Sequence, residues 1–230
     1  MIDMHSHCLP GIDDGAKNVD DAIIMLEDVF NKGIKKVFAT PHCRVYSEEE
    51  LISAVEARER AYSALIGEAE ARKTKIPVIK KGFEVYLDKD ITAFPSYRSL
   101  CMEDTDVMLV EMPVSYWDSF AIGRIKSLKN AGITPLIAHV ERYLGFKKII
   151  QNILSEQGII YQINADAFFG WRRMKLIKKL WKMGKTVVVG SDMHNMTSRK
   201  NRLAEAYKKA IKKNKSYEIM FDKDISALLL

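Results

Sequence analysis

The sequence lacks the features of a membrane or secreted protein. No run of about eighteen apolar residues occurs in its 230 positions, and the opening Met-Ile-Asp-Met-His is not a basic region followed by an apolar one. Neither a membrane span nor a signal peptide is therefore expected. We expect a cytoplasmic protein that is not integral to a membrane.

Cysteine is scarce. Cys8, Cys43 and Cys101 are an odd number, and their spacings fit neither a disulfide framework nor a CxxC zinc site. Free thiols in a reducing compartment are the simplest interpretation.

Acidic charge is not in excess either. The chain has 36 Lys and Arg residues against 30 Asp and Glu residues, which gives a formal net charge of +6. Two segments concentrate the basic residues, namely Arg172, Arg173, Lys175, Lys178, Lys179, Lys182 and Lys185, and then Lys208, Lys209, Lys212, Lys213 and Lys215. Such runs are usually solvated helix faces, and the alternative is attraction of an anionic partner such as an acidic peptide. The interleaved aromatic pattern of a nucleic-acid binder does not accompany them, so nucleic acid is not expected as a partner.

Short apolar runs and longer amphipathic segments alternate along the whole chain, which is typical of repeated β-α units and a parallel sheet. Seven strands are predicted, at residues 2–5, 34–39, 78–82, 107–110, 134–138, 159–163 and 186–190. Six helices are predicted between or after them, at residues 19–32, 48–73, 119–131, 144–156, 171–183 and 198–214.

Local signals support the helix limits. Ser47 and Glu50 have the spacing of a capping box at the start of the long helix. Four glycines stand where a helix should stop before a strand, namely Gly33, Gly132, Gly158 and Gly184.

Seven consecutive β-α units favour a closed barrel, and the absence of a composition break favours one domain over residues 1–230. Neither GxGxxG nor GxxxxGK[ST] follows a predicted strand, so the nucleotide-binding open sheets lose their main support. In a parallel barrel the chemistry lies on the loops at the C-terminal ends of the strands. The polar residues at those ends should therefore form the site.

All five histidines lie at or just beyond a predicted strand end: His5 and His7 at the first, then His42, His139 and His194 at the second, fifth and seventh. Carboxylates occupy comparable positions, namely Asp14, Glu84, Glu111 and Asp192. Side chains alternate along an extended segment, so an HxH or a DxH can direct two donors to one ion. A set of imidazole and carboxylate donors suits Mn²⁺, Fe²⁺ or Zn²⁺. About nine ligands would serve two or three ions, an arrangement typical of phosphate-ester hydrolysis.

Six segments carry a resemblance to a known family: MIDMHSH at 1–7, PGIDDG at 10–15, ATPH at 39–42, GFE at 82–84, IAHVERY at 137–143 and GSDMHN at 190–195. In this order, over essentially the whole chain, they resemble the polymerase and histidinol phosphatase (PHP) superfamily. Within it, they are similar to the bacterial manganese-dependent tyrosine-protein phosphatases of capsule and exopolysaccharide synthesis.

The resemblance implies a distorted seven-stranded (β/α)7 barrel of the PHP type, similar to a TIM barrel, that binds two or three ions. Mn²⁺ is the implied metal, with Fe²⁺ and Zn²⁺ as alternatives. One ion would be held by His5, His7, Glu84 and Asp192, a second by Glu84, Glu111 and His139, and a third by Asp14, His42 and His194. Glu84 would bridge the ions.

The resemblance also assigns arginines to the phosphate. Arg142 and Arg199 correspond to the family's phosphate-contacting arginines, and Arg44, just past His42, is a third candidate. Together with His42, Arg142 and Arg199 are the implied catalytic residues. The implied partner is the phosphotyrosine tail of a bacterial tyrosine autokinase that controls polysaccharide polymerisation and export. The sequence leaves the oligomeric state open.

The expected mechanism needs no covalent phosphoenzyme. The ions would bind phosphate oxygens and lower the pKa of a water, whose hydroxide would attack phosphorus in line while Arg142 and Arg199 neutralise developing charge. A cysteine nucleophile is excluded by spacing, because no Cys is followed six residues later by Arg.

Two rival functions stay open at this stage. One is a small-molecule phosphatase of the same superfamily, acting for example on histidinol phosphate. The other is a PHP module without catalysis that binds a kinase or polymerase as a scaffold. A scaffold of this kind should have lost ligands, whereas this chain has a candidate at every expected position.

Overall fold

The fold is a mixed α/β arrangement of parallel strands and flanking helices. It is seen here in a computed structural model that describes residues 1–113, 119–145, 151 and 154–222. The strands are β1 (Ile2–Ser6), β2 (Lys36–Ala39), β3 (His42–Cys43), β4 (Val78–Lys81), β5 (Glu84–Tyr86), β6 (Val107–Glu111), β7 (Thr134–Ile137), β8 (Ile160–Asn164) and β9 (Thr186–Gly190). The α-helices are α1 (Val19–Asn31), α2 (Glu48–Ala71), α3 (Ser119–Asn130), α4 (Trp171–Lys182), α5 (Leu203–Lys213) and α6 (Ile219–Asp222).

All seven predicted strands are present, but the described residues contain nine strand segments. The second and third predicted strands each continue after a short interruption, as β3 and β5. Pro41 interrupts the first of these pairs because it has no backbone N–H to donate. Gly82 and Phe83 interrupt the other pair, and Gly82 donates its N–H to Ala39 at 2.9 Å.

Every strand pair is parallel. Hydrogen bonding among the described residues gives one sheet in the order β1-β2-β4 and another in the order β3-β5-β6-β7-β8-β9. The first and last strands are neighbours, since a parallel bridge joins Ser6 to Met193 and the N–H of Asp192 donates to His5 at 2.8 Å. When β2 is counted with β3 and β4 with β5, strands that are consecutive along the chain are therefore neighbours in space.

The helices end largely where the sequence predicts. Gly33, Gly132 and Gly184 follow α1, α3 and α4 with φ of +80°, +79° and +65°, the left-handed conformation that glycine adopts without strain. The Ser47 side chain accepts from Glu50 N at 3.3 Å and caps α2. The Glu50 carboxylate binds Tyr46 N at 2.7 Å, one residue earlier than in a standard capping box.

One predicted helix starts later than expected. The segment 198–202, predicted as the first turn of the last long helix, is a loop, and α5 begins at Leu203. The Asn195 side chain accepts from Thr197 N and Arg199 N, both at 3.0 Å, and so holds this segment in a turn. Most of the helix predicted at 144–156 lies outside the described residues; Leu144 belongs to a 3₁₀ helix, Val140–Gly145.

The core has two parts. The larger packs the helices against one face of the strands. A smaller cluster lies among the strands themselves and contains Met4, Phe38, Met102, Val107, Leu109, Leu136, Ala138, Ile160 and Val188. Within the described residues, no helix is both long and apolar enough to cross a membrane.

Candidate metal centre

The C-terminal ends of the strands carry the nine predicted ligand residues into one cluster. His5 lies within β1, His42 begins β3, Glu84 begins β5 and Glu111 ends β6. The other five lie in segments that follow strands, namely His7, Asp14, His139, Asp192 and His194. Ring nitrogens and carboxylate oxygens link all nine through separations of 3.7 Å or less.

His5 and His7 direct their rings to the same side of the chain, as alternation along an extended segment predicts. Their Nε2 atoms lie 3.1 Å apart, and both side chains are fully buried. Burial acts to lower the pKa of His7, but the hydrogen bond with Asp13 and the nearby carboxylates raise it well above its usual value. The site therefore favours positive charge strongly enough to overcome the cost of burying it.

Glu84 lies at the middle of the cluster. Its Oε1 is 2.7 Å from His139 Nε2, and its Oε2 is 3.1 Å from both His5 Nε2 and His42 Nδ1. Burial acts to raise the pKa of this carboxyl, but the charge of His5 and the hydrogen bond with His139 bring it well below its usual range. Glu84 is consequently an ionised carboxylate surrounded by imidazoles.

The ligand atoms form three groups in which each atom lies within 4.8 Å of the others: His7 with Asp14, His42 and His194; His5 with His7 and Glu84; and His42 with Glu84 and Glu111. The group of Asp14, His42 and His194 expected from the resemblance is present and includes His7 as well. Asp192 Oδ1 lies beside the second group, 3.7 Å from His5 Nε2. His139 Nε2 lies 3.5 Å from Glu111 Oε1, beside the third.

The hydrogen bonding of this cluster is consistent with divalent cations. Among the described residues, Glu84 Oε2, His139 Nδ1 and His194 Nε2 are buried and form no hydrogen bond. Buried polar atoms of this kind are costly unless another group satisfies them. Three ring nitrogens approach Glu84 Oε2 without the orientation of a hydrogen bond, which is what ligands sharing an ion would do. The residues therefore fit a metal centre.

Two of the predicted ligands stand on strained backbone. His139 has φ of +31° and Asp192 has φ of +55°, in the left-handed region that residues other than glycine rarely adopt. Each lies two positions after the end of a strand, where the chain must turn while it directs a side chain into the cluster. Strain of this kind is concentrated at functional sites because the surrounding structure must hold it in place.

Asp13 was not predicted as a site residue, although it adjoins the predicted ligand Asp14. Its carboxylate accepts from His7 Nδ1 at 2.7 Å, from Gly15 N at 2.9 Å and from His42 N at 3.1 Å. Burial acts to raise the pKa of Asp13, but these bonds, led by that of His7, lower it to about 2. Asp13 thus fixes the orientation of the His7 ring. In the sequence, the other carboxylate of the PGIDDG segment, next to the predicted ligand Asp14, was the feature that could have identified it.

A buried amide chain supports the opposite side of the cluster. Gln162 Oε1 lies 3.2 Å from His5 Nδ1 and accepts from His139 N at 2.5 Å. Its amide nitrogen donates to Asn164, which in turn donates to Asp192 Oδ2 at 2.9 Å. The signal in the sequence was a pair of amides, two positions apart, within the otherwise apolar β8.

Two of the three predicted arginines meet at one carboxylate. Arg142 forms a salt bridge with Asp192 Oδ2, and Arg199 lies 2.9 Å from Asp192 Oδ1 and 3.5 Å from Asp14 Oδ2. Both guanidinium groups therefore stand at the edge of the cluster. Arg199 lies in the loop before α5 and not, as predicted, at the start of a helix.

Arg44 is not brought to the same place. Its Nε donates to Asp88 at 2.9 Å, and its guanidinium stacks on the ring of Tyr86 with 4.8 Å to the centroid. Arg44 shares a groove with His42 and Phe83, next to the cluster but apart from Asp192.

The thiols are unsuited to nucleophilic catalysis. Cys8, Cys43 and Cys101 are all buried and unbonded to one another, and burial raises the pKa of each to about 12. A thiolate is the reactive form of cysteine, so these groups are inert at neutral pH.

Comparison with known proteins identifies the family. Residues 1–226 match the family described as capsular polysaccharide synthesis, CpsB/CapC. The chain belongs to the CpsB/CapC family.

Relatives of this CpsB/CapC chain have names that agree with the site. It is 28% identical over 225 residues to tyrosine-protein phosphatase CpsB of Streptococcus agalactiae serotype V (strain ATCC BAA-611 / 2603 V/R), covering 90% of this chain and 88% of the relative. It is 30% identical over 215 residues to tyrosine-protein phosphatase YwqE of Bacillus subtilis (strain 168), covering 90% and 82%.

A solved structure is similar as well. It comes from the crystal structures of YwqE from Bacillus subtilis and CpsB from Streptococcus pneumoniae, described as unique metal-dependent tyrosine phosphatases. The match has a TM-score of 0.78 and 28% identity, and it covers 93% of this chain and 87% of the solved one. The parallel α/β arrangement is thus shared with metal-dependent tyrosine phosphatases.

Proposed function

We propose that this CpsB/CapC chain is a metal-dependent protein-tyrosine phosphatase (EC 3.1.3.48), a hydrolase of phosphoric monoesters. The observation that carries the proposal is the position of Asp192. One of its oxygens faces His5 and His7 in the candidate metal centre, and both oxygens are held by arginines suited to phosphate. The names of the relatives supply the substrate class.

The nine clustered residues would hold two or three divalent ions: His5, His7, Asp14, His42, Glu84, Glu111, His139, Asp192 and His194. When bound, such ions supply Lewis-acid polarisation of phosphate oxygens and a water of lowered pKa. Mn²⁺ is the ion we favour, with Fe²⁺ and Zn²⁺ as alternatives that the same donors accept.

Arg142 and Arg199 would bind the phosphate and offset the charge that develops on its oxygens. Each would be free of Asp192 to the extent that bound cations take over that carboxylate. His42 stands at the rim of the cluster with 42% of its side chain exposed, where its ring meets both Asp14 and Glu84. It is the imidazole most accessible to a substrate that enters from solvent. Arg44 is a weaker candidate for substrate contact than Arg142 or Arg199, because its guanidinium is hydrogen-bonded to Asp88, which is not a predicted metal ligand.

We infer that the strands close into the distorted seven-stranded barrel of the PHP type as one domain. The bridge between Ser6 and Met193 brings the first and last strands together. The inner apolar cluster supports this inference, since its strand residues come from β1, β2, β6, β7, β8 and β9 and face one another.

The partner we propose is the phosphotyrosine tail of a bacterial tyrosine kinase that regulates capsule or exopolysaccharide synthesis in the cytoplasm. The family description and the net charge of +6 are consistent with such an acidic substrate.

The test is hydrolysis of a phosphotyrosyl peptide by chelator-treated protein with and without added Mn²⁺. Addition of Mn²⁺ should restore turnover, and Arg142→Ala and His42→Ala should lower it by about a hundredfold or more. Arg60→Ala is the matched control, because Arg60 is exposed and, in the part of the chain that the structure describes, its salt bridge is with Glu56 on α2.

Parallel assays separate the rivals. Turnover of histidinol phosphate in preference to the peptide would identify a small-molecule phosphatase. Binding of an unphosphorylated kinase tail without turnover of any phosphate ester, under any metal, would identify a scaffold.

A further inference from the structure

A small cavity opens beside the candidate metal centre, on the other side of Asp192. Its volume is about 190 Å³. Asp192 Oδ1 faces His5 and His7, while Oδ2 faces the cavity, where Arg142 and Asn164 bind it. A ligand at the metal centre would therefore have this cavity as its immediate neighbour.

Four cationic side chains line the cavity: Arg142, Arg173, Arg199 and Lys200. The arginines at 142 and 199 are engaged with Asp192. Among the described residues, the side chains of Arg173 and Lys200 form no hydrogen bond and no salt bridge, and both residues are exposed. The Arg173 stem lies against Gly170, where an added Cβ would be 3.3 Å from Arg173 Cδ.

Among the described residues, neither of these two cations forms a salt bridge with a carboxylate of the same cavity. Asp166 is paired with Arg202 at 2.8 Å. Glu141 is buried, accepts from Asn164 N at 3.3 Å, and attracts Arg173 electrostatically without forming a salt bridge with it. Together with the engagement of Asp192, this leaves a positive potential in the cavity that an anion could satisfy.

We propose that Arg173 and Lys200 bind a second anionic group of the substrate, a carboxylate or a phosphate on a residue next to the phosphotyrosine. This inference rests on the proposed function and makes it more specific. The phosphate to be cleaved lies at the metal centre, and the flanking residue of the peptide extends into the cavity. Arg173 and Lys200 act as specificity residues, so they change peptide affinity and leave the chemistry of small phosphate esters unchanged.

The test compares two double variants that remove the same charge. Arg173→Gln with Lys200→Gln takes both cations from the cavity. Arg172→Gln with Lys178→Gln takes two from the same basic segment outside it; Arg172 stacks on Trp171. Each protein is assayed with para-nitrophenyl phosphate and with three phosphotyrosyl peptides whose flanking residues are glutamine, aspartate or a second phosphotyrosine.

The wild type should have a lower KM for the aspartate or doubly phosphorylated peptide than for the glutamine peptide. The cavity variant should lose roughly three- to thirtyfold in kcat/KM for the anionic peptides, mainly through KM, and high salt should reduce this difference. Its rates on para-nitrophenyl phosphate and on the glutamine peptide should match those of the wild type. The outer variant should retain the preference.

Which anionic peptide shows the effect identifies the group as carboxylate or phosphate. Equal losses in both double variants, or no preference in the wild type, would overturn the inference while the tyrosine phosphatase assignment stands. An absence of turnover on every phosphotyrosyl peptide by the wild type would reject both.

Discussion

The Oδ2 atom of Asp13 lies 2.7 Å from Nδ1 of His7. This contact leaves Nε2 of His7 directed to the cluster, where it lies 3.3 Å from Glu84 Oε2. A carboxylate that holds the far nitrogen of an imidazole fixes its tautomer and its orientation and makes the near nitrogen a better ligand. We therefore predict that Asp13 influences metal binding without belonging to the predicted ligand set.

Asp13→Asn should weaken Mn²⁺ binding by about 10- to 100-fold, the usual effect of losing such a partner. The asparagine oxygen can still accept from Gly15 N, so the loop should keep its shape. The measurement is calorimetric titration of chelator-treated protein with Mn²⁺. Asp20→Asn, in the exposed first turn of α1, is the control, and equal affinities for the two variants would contradict this role for Asp13.

Local signals predicted most of the fold. Apolar runs located all seven strands, and Gly33, Gly132 and Gly184 marked helix ends because only glycine adopts their backbone conformation without strain. The start of α5 was wrong because Asn195, a residue outside the helix, captures the N–H groups of the segment before it. Such a side chain competes with helix formation, and the apolar pattern does not reveal it.

The ligand residues of the candidate site were predicted from the sequence, whereas the contacts that support them were not. Residues that end parallel strands meet at one edge of a sheet, so the clustering of the histidines and carboxylates could be expected from strand positions alone. The supporting contacts could not, because Gln162 reaches His5 across 157 positions of the chain. The resemblance already placed Asp14 with His42 and His194, where the structure has it, but only the three-dimensional structure shows that Asp13 orients His7.

Burial raises the pKa of Glu141 from 4.5 to about 7. Between pH 4.5 and about pH 7, the folded protein therefore keeps a proton on Glu141 that the unfolded chain has released. The free energy of unfolding of the wild type falls as pH rises through that interval. The loss amounts to about 3 kcal/mol above pH 7. Glu141→Gln should remove this loss.

Urea unfolding of metal-free wild type and Glu141→Gln at pH 5 and pH 8 would measure this effect. The variant should be the more stable of the two at pH 8, with a much smaller difference at pH 5. Glu103→Gln, near the surface beside Lys81, serves as the control. A difference that does not change with pH would mean that Glu141 acts through packing and not through its charge.

The buried thiols predict resistance to alkylation. With the pKa of Cys8, Cys43 and Cys101 raised to about 12, little thiolate exists at pH 8, and the thiols are shielded from reagents. Iodoacetamide should therefore leave phosphatase activity intact, whereas a chelator should abolish it. Mass spectrometry of the treated native protein would check that no thiol is modified. Inactivation together with labelling of Cys8 or Cys43 would instead place a thiol in the reaction.

Gly190 allows β1 and β9 to approach closely beneath the cluster. A Cβ at this position would lie 2.5 Å from His5 Cβ and 2.8 Å from Gln162 Nε2, both closer than real contacts permit. Gly190→Ala must therefore displace His5 or the amide that orients it. We expect a loss of roughly 1–3 kcal/mol in unfolding free energy, which is typical of overpacking. The affinity for Mn²⁺ should fall by about 10- to 100-fold, because a ligand or its orienting partner is displaced.

Gly67→Ala is the matched control, because its Cβ would meet nothing within 4 Å on the exposed side of α2. Alanine is the better helix former, so this variant should gain up to about 1 kcal/mol and keep its Mn²⁺ affinity. Urea unfolding without metal and calorimetry with Mn²⁺ would measure both quantities for both variants. If Gly190→Ala bound Mn²⁺ as tightly as Gly67→Ala, the position of His5 would not be what sets the affinity, and its assignment as a ligand would fail.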